Sequence, residues 1–194
     1  MRTRRPTAAL LTAAAVAAVA ALAGCASGSQ ESRCANSDGI VQCAPDQRSA
    51  APEIAGNLLD SSGRYDVSQA RGQVVVLNFW GSWCAPCRAE ADDLEGTYQA
   101  TKAAGVTFLG INVQDSRDKA IAFEEGRVTY PSLFDPASRL ALAMNIPPNT
   151  IPATVILDRE GRVATVIRAA VRQEGLQPLV EKVAAEQPPA DGSR

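Results

Sequence analysis

Val74-Val75-Val76-Leu77-Asn78-Phe79-Trp80-Gly81-Ser82-Trp83-Cys84-Ala85-Pro86-Cys87-Arg88-Ala89-Glu90 is the stretch that decides the fold. Its opening run, Val74 to Trp80, is almost continuously apolar, the pattern of a strand covered on both faces. Residues 88–104 then place Ala91, Leu94 and Tyr98 on one helical face, and Gly105 marks the helix end. Between strand and helix stands Cys84-Ala85-Pro86-Cys87. A C-x-x-C at such a junction is a redox pattern. The two thiols are within disulfide reach, and the first opens the helix, where free N–H groups and the helix dipole favour a thiolate. Pro86 falls in the first turn, where a missing N–H costs little, and Ala85 adds no charge.

Outward from this stretch, alternating strand and helix signals continue. Residues 53–59 and 64–67 flank Asp60-Ser61-Ser62-Gly63, a hairpin-like turn. Residues 106–113 read as a second buried strand, 117–126 as a short helix, 131–134 as a short strand and 137–144 as another helix. A hairpin over 154–157 and 163–168 turns at Asp158-Arg159-Glu160-Gly161, and residues 174–185 form the last helix. The order β-α-β-α-β-α-β-β-α argues an α/β fold with a mixed sheet.

The N-terminus reads as an export signal. Arg2, Arg4 and Arg5 form a basic region, and residues 8–22 an apolar one too short and Ala-rich for a membrane span. Leu22-Ala23-Gly24-Cys25 resembles the bacterial lipobox, in which the cysteine is acylated and becomes the mature N-terminus. Thr3-Arg4-Arg5 hints at a twin-arginine signal, from which Pro6-Thr7 departs. The expected organisation is a lipoprotein signal peptide at 1–24, a lipidated flexible tether at 25–50, a domain at 51–186 and a disordered tail at 187–194.

With Cys25 set aside, Cys34, Cys43, Cys84 and Cys87 remain. Four cysteines allow three connectivities, and adjacency favours Cys84–Cys87 and Cys34–Cys43. The second bridge would close a small loop in a polar segment, worth roughly 2–3 kcal/mol on the chain-entropy model. The chain has no histidine, which removes imidazole bases and ligands, and its formal charge of −2 gives no reason to expect nucleic acid.

The segment 75–90 resembles the active-site segment of the TlpA/ResA-like membrane-anchored thiol–disulfide oxidoreductases. Gly110-Ile111-Asn112-Val113-Gln114-Asp115 and Tyr130-Pro131-Ser132-Leu133-Phe134-Asp135 resemble the strands that bracket that family's extra αβ insertion. Thr150-Ile151-Pro152-Ala153-Thr154 resembles its cis-proline loop. The resemblance implies a thioredoxin-like fold: a mixed central sheet flanked by helices, with an N-terminal β-hairpin extension and the insertion. It covers residues 51–185.

On that resemblance Cys84 is the nucleophile and Cys87 resolves the mixed disulfide. Trp83 is an aromatic wall beside the sulfur, while Trp80 reads as core. Pro152 is the cis-proline that faces the dithiol, with Ile151 next to the sulfur and the preceding backbone pairing with an extended substrate segment. Glu90, three residues after Cys87, and Asp115 match acidic positions that modulate cysteine acidity in the ResA-like branch. The bland alternatives are a solvated helix charge and a cap. Asn78 stands where thioredoxin has a buried aspartate, which leaves Glu90 as the candidate proton acceptor. The family implies protein thiol or disulfide substrates, apocytochrome c among them, a membrane electron donor, a lipid anchor, a monomer, and neither cofactor nor metal. It contains reductants that serve cytochrome c maturation, the role expected here, and the alternative role is an oxidant or isomerase that forms disulfides in exported proteins.

Four rival readings fare worse. A thiol peroxidase needs Thr or Ser three residues before the cysteine and Pro seven before, where Gly81 and Leu77 stand. A copper chaperone of this fold needs a histidine. A four-cysteine zinc site would need better spacing than Cys34-x8-Cys43 offers. A non-enzymatic thiol- or metal-binding lipoprotein would have no use for the arrangement around Cys84.

Overall fold

Every residue of Val74–Trp80 is buried because this strand is interior to a seven-stranded sheet. The computed structural model describes residues 34–186. The signal segment 1–24, Cys25 and the tail 187–194 lie outside the described residues. The strands are β1 (Cys34–Ser37), β2 (Ile40–Cys43), β3 (Ala55–Asn57), β4 (Arg64–Asp66), β5 (Val74–Trp80), β6 (Val106–Val113), β7 (Ser132–Asp135), β8 (Ala153–Leu157) and β9 (Val163–Ile167). The helices are α1 (Ala85–Thr101), α2 (Arg117–Glu124), α3 (Arg139–Ala143) and α4 (Gln173–Ala184).

The sheet order is β1-β2-β9-β8-β5-β6-β7, with β3 and β4 forming a separate ribbon. Strands β5, β6 and β7 run parallel, whereas β8 and β9 join antiparallel, so the sheet is mixed. Strand alternation divides the core. Val75, Leu77 and Phe79 pack on one face with Leu109, Ile111 and Leu133. Val74 and Val76 pack on the other with Leu94 of α1 and with Leu176 and Val180 of α4. Each such fully buried side chain contributes about 1.5–3 kcal/mol of transfer free energy. Helix α1 begins at Ala85 rather than at residue 88, since Cys84 caps it and Pro86 suits its first turn. It ends through a short 3-10 turn at Gly105, whose φ of 76° is left-handed.

The N-terminal segment departs from expectation. The sequence predicts a flexible tether over 25–50, but within its described part Cys34–Ser37 and Ile40–Cys43 are strands. Strands β1 and β2 form an antiparallel hairpin, and β2 pairs with β9, Ile40 opposite Ile167 and Val41 opposite Val166. The turn is Asp38-Gly39, with φ of 50° and 80°, the two left-handed residues of a tight hairpin. A disulfide joins Cys34 to Cys43, which face each other across the hairpin.

Arg48 fixes the far end of this segment. Its side chain is 3% exposed and lies 2.5 Å from Glu186 and 3.2 Å from Asp158. It also donates to the Cys43 carbonyl at 3.1 Å. Asp158 in turn accepts from the backbone N–H groups of Glu160 and Arg162 and from the Arg162 side chain. The N-terminal hairpin, the β8–β9 turn and the end of α4 thus share one buried charge cluster.

Candidate active site

Cys84 lies just past the C-terminal end of β5, as the N-cap of α1. Its backbone is extended, its N–H donates to the Gly81 carbonyl at 3.0 Å, and its carbonyl accepts from Arg88 N at 3.1 Å. Its Sγ accepts from the Cys87 N–H at 3.2 Å, so the sulfur caps the helix. Cys84 and Cys87 are joined as a disulfide with Cα atoms 5.3 Å apart. The first turn carries no acidic residue to offset the positive helix end.

Both cysteines are nearly buried, Cys84 at 5% and Cys87 at 3% exposure. Leu59, Trp80 and Ala120 pack with them, and Ile151 lies against this cluster. Ile151–Pro152 is a cis peptide bond, and β8 starts directly after it. Ala153 pairs with Phe79 and Thr154 with Asn78, which holds the proline loop beside the dithiol. Trp83 is 51% exposed, whereas Trp80 is core at 5%. The indole of Trp83 folds over Gly81: a Cβ there would lie 2.6 Å from its Nε1. Glycine at 81 therefore leaves the room that the Trp83 ring occupies.

Glu90 sits one turn below Cys87 on the buried face of α1 and is 1% exposed. The solvated-charge alternative does not describe it. Its carboxyl accepts from the Asn78 side-chain amide and from the Val171 N–H, each at 2.8 Å. Asn78 also donates to the Thr154 hydroxyl at 3.3 Å. Burial pushes the Glu90 pKa up from 4.5 to about 7, against the pull of the Val171 and Asn78 donors, with the charge of Asp93 adding to the rise.

Asp115 does something the sequence did not reveal. Its carboxylate accepts from the Ser82 N–H at 2.6 Å, the Ser82 hydroxyl at 2.9 Å, the Asn112 amide at 3.0 Å and the Ser116 N–H at 2.8 Å. Burial alone would raise its pKa, but the donors on Asn112, Ser82 and Ser116 outweigh it and hold the carboxyl below its ordinary value. It therefore anchors the loop that precedes Cys84 to the end of β6. A second carboxyl with a raised pKa is the half-buried Glu124, which left no mark in the sequence pattern. It bonds the Ser132 hydroxyl, and burial lifts its pKa to about 7. Among the described residues no group of acids and cysteines is placed to hold a metal ion.

Residues 48–166 match the family model described as the AhpC/TSA family. The chain belongs to the AhpC/TSA family. Within the AhpC/TSA family its site is built for a dithiol. At the position three before Cys84, a larger residue would collide with Trp83, and Leu77 is fully buried in the core. The chain is 31% identical to the thiol-disulfide oxidoreductase ResA of Geobacillus kaustophilus, over 70% of this chain and 76% of that protein. It is 32% identical to the thiol:disulfide interchange protein DsbE of Escherichia coli, over 70% and 74% respectively. A crystal structure of a secreted thiol-disulfide isomerase from Corynebacterium glutamicum superposes with a TM-score of 0.74 at 35% identity, covering 78% of this chain and 95% of that one. The fold is thioredoxin-like, and these AhpC/TSA relatives are thiol–disulfide exchange proteins.

Proposed function

We propose that this thiol–disulfide oxidoreductase works through Cys84 and Cys87 as a reductant of disulfides in exported proteins, the cysteines of apocytochrome c among them. The observation that carries the reading is the dithiol at the N-terminus of α1, with Ile151 of the cis Ile151–Pro152 bond packed against the cluster that holds both cysteines. The Cys84 thiolate attacks one sulfur of a substrate disulfide, forming a mixed disulfide and releasing one substrate thiolate. Cys87 then loses its proton and attacks Cys84 Sγ, forming the Cys84–Cys87 bond and releasing the second substrate thiol. Two electrons pass from the dithiol to the substrate.

The surroundings favour the reducing direction. Apolar cover and the nearby Glu90 carboxyl offset part of what the helix end gives a Cys84 thiolate, and a couple whose reduced form has less thiolate stabilisation is a stronger reductant. A redox titration of the Cys84/Cys87 couple against glutathione or dithiothreitol tests this. A potential near that of thioredoxin, about −270 mV, is expected. A value near that of DsbA, about −120 mV, would reassign the protein as an oxidant. Trp83 and Ile151 border the approach to Cys84, and the backbone before Pro152 is the edge a substrate segment would pair with. The AhpC/TSA relatives include a protein named as secreted. With the lipobox at Cys25, this supports an extracytoplasmic enzyme held at the membrane by lipid, which metabolic fatty-acid labelling reads directly.

Glu90 is the proton acceptor for Cys87 in this reading. A carboxyl that titrates near neutrality can take that proton and return it without leaving a permanent buried charge. Its folded pKa lies above its ordinary value, so the folded state binds the proton more tightly. The stabilisation that follows is full below about pH 4.5 and is lost as pH rises through 7. Glu90→Gln has no such dependence and keeps both hydrogen bonds if the Asn78 amide turns over. Urea unfolding should therefore show the variant gaining about 2–3 kcal/mol on the wild type between pH 5 and pH 8. The alkylation profile of the reduced dithiol should shift to lower pH, and release of the mixed disulfide should slow. Superimposable profiles would remove Glu90 from the mechanism.

A further inference from the structure

A second surface adjoins the dithiol. Trp83, Arg88, Lys119, Phe123 and Arg127 line a shallow groove between the start of α1 and the insertion helix α2. The Arg88 and Arg127 guanidinium groups lie 5.6 Å and 4.9 Å from the centre of the Phe123 ring. Trp80 supports the same ring, with centroids 5.5 Å apart. The groove therefore has an aromatic floor rimmed by three cations and lined by no acid, in a chain of net charge −2. Of the nearby acids, Asp115 is engaged with Ser82, a lining residue, and with Asn112 and Ser116, and Glu124 is engaged with Ser132. Asp92 reaches Arg127 at 3.2 Å, but its side chain is 82% exposed, so that pair is weak and readily exchanged for another anion.

Trp83 lines this groove and directly precedes Cys84 in the chain. A chain that brings its sulfur to Cys84 past Trp83 lays its neighbouring residues over the cations. We propose that the groove is an exosite for the acidic residues that flank the reactive cysteine of a protein substrate. The partner is an extended segment with Asp or Glu a few residues from its disulfide. Its carboxylates pair with Arg88, Lys119 and Arg127, and its apolar atoms rest on Phe123. This selectivity rests on the redox reading above and adds a substrate class to it. Its main effect is on the rate of encounter, because the charges lie at the rim and not at the sulfur.

The test uses three short peptides with one internal disulfide each, flanked by Glu, by Ala or by Lys, and mixed with the reduced protein at low salt. The Glu peptide should be reduced roughly tenfold faster than the Lys peptide, with the gap closing as salt is raised. The double variant Lys119→Glu/Arg127→Glu should abolish or reverse the preference while reducing the Ala peptide within about twofold of the wild-type rate. Equal rates on Glu and Lys peptides in the wild type would overturn the proposal, as would a preference that survives the double variant. Equal rates together with charge-dependent binding to phosphatidylglycerol vesicles would assign the groove to a membrane surface instead. A wild type that fails to reduce even the Ala peptide overturns the redox reading itself, and the exosite with it.

Discussion

Cys84→Ser leaves a folded protein with no turnover of a protein disulfide such as insulin, while Cys87→Ser accumulates a mixed disulfide through Cys84. The asymmetry follows from position. Cys84 caps α1, where its sulfur already accepts the Cys87 N–H. A thiolate there gains from the helix end, whereas Cys87 lies one turn inside, at 3% exposure. Serine fills the cap equally well, so stability in the reduced state should hardly change and the loss is chemical. Without Cys87 the first attack still proceeds, but no thiol stands within reach to release the substrate at high effective concentration. Mass spectrometry of the trapped adduct and an insulin-reduction assay read the two outcomes. Residual reductase activity in Cys84→Ser would move the nucleophile elsewhere.

Arg48→Ala should cost about 3 kcal/mol of stability in urea unfolding with both disulfides kept intact. The guanidinium is 3% exposed and bridges Glu186, Asp158 and the Cys43 carbonyl. Removing it leaves Asp158, itself 4% exposed, with only Arg162 and two backbone donors. The estimate sits at the low end for a broken buried pair because Glu186, at 26% side-chain exposure, can turn toward water. The hairpin β1–β2 should lose protection from hydrogen exchange first, since Arg48 is its clasp to the rest of the sheet. A loss below about 1 kcal/mol would mean that the cluster is an ordinary surface pair.

The residues that announced the site are local in sequence. The run Val74 to Trp80, the C-x-x-C after it and the proline before β8 each have a signature within a few positions. What was hidden depends on distant partners. Glu90 is satisfied in the core by the N–H of Val171, 81 residues away, and no helical pattern shows that. Asp115 anchors Ser82 across 33 residues, and Gly81 is needed only because the Trp83 ring folds back. The β1–β2 hairpin did leave a trace. Asp38-Gly39 beside Ile40-Val41 is a turn followed by strand formers, but the polar composition of the whole segment outweighed it. Arg48 gave no signal at all, since its partners are a turn aspartate and a glutamate at the end of the last helix.

The hairpin also sets a leash. If Cys25 carries the lipid, only residues 26–33 separate the bilayer from the first strand, and the Cys34–Cys43 clip forbids the leash from lengthening by peeling the hairpin open. Eight extended residues span at most roughly 30 Å, where a tether running to residue 50 would have spanned about three times that. The dithiol would then sweep a thin layer over the membrane. It would meet polypeptides as they emerge from a translocation channel or sit beside another membrane enzyme, and it would leave disulfides in the wider compartment to enzymes that diffuse.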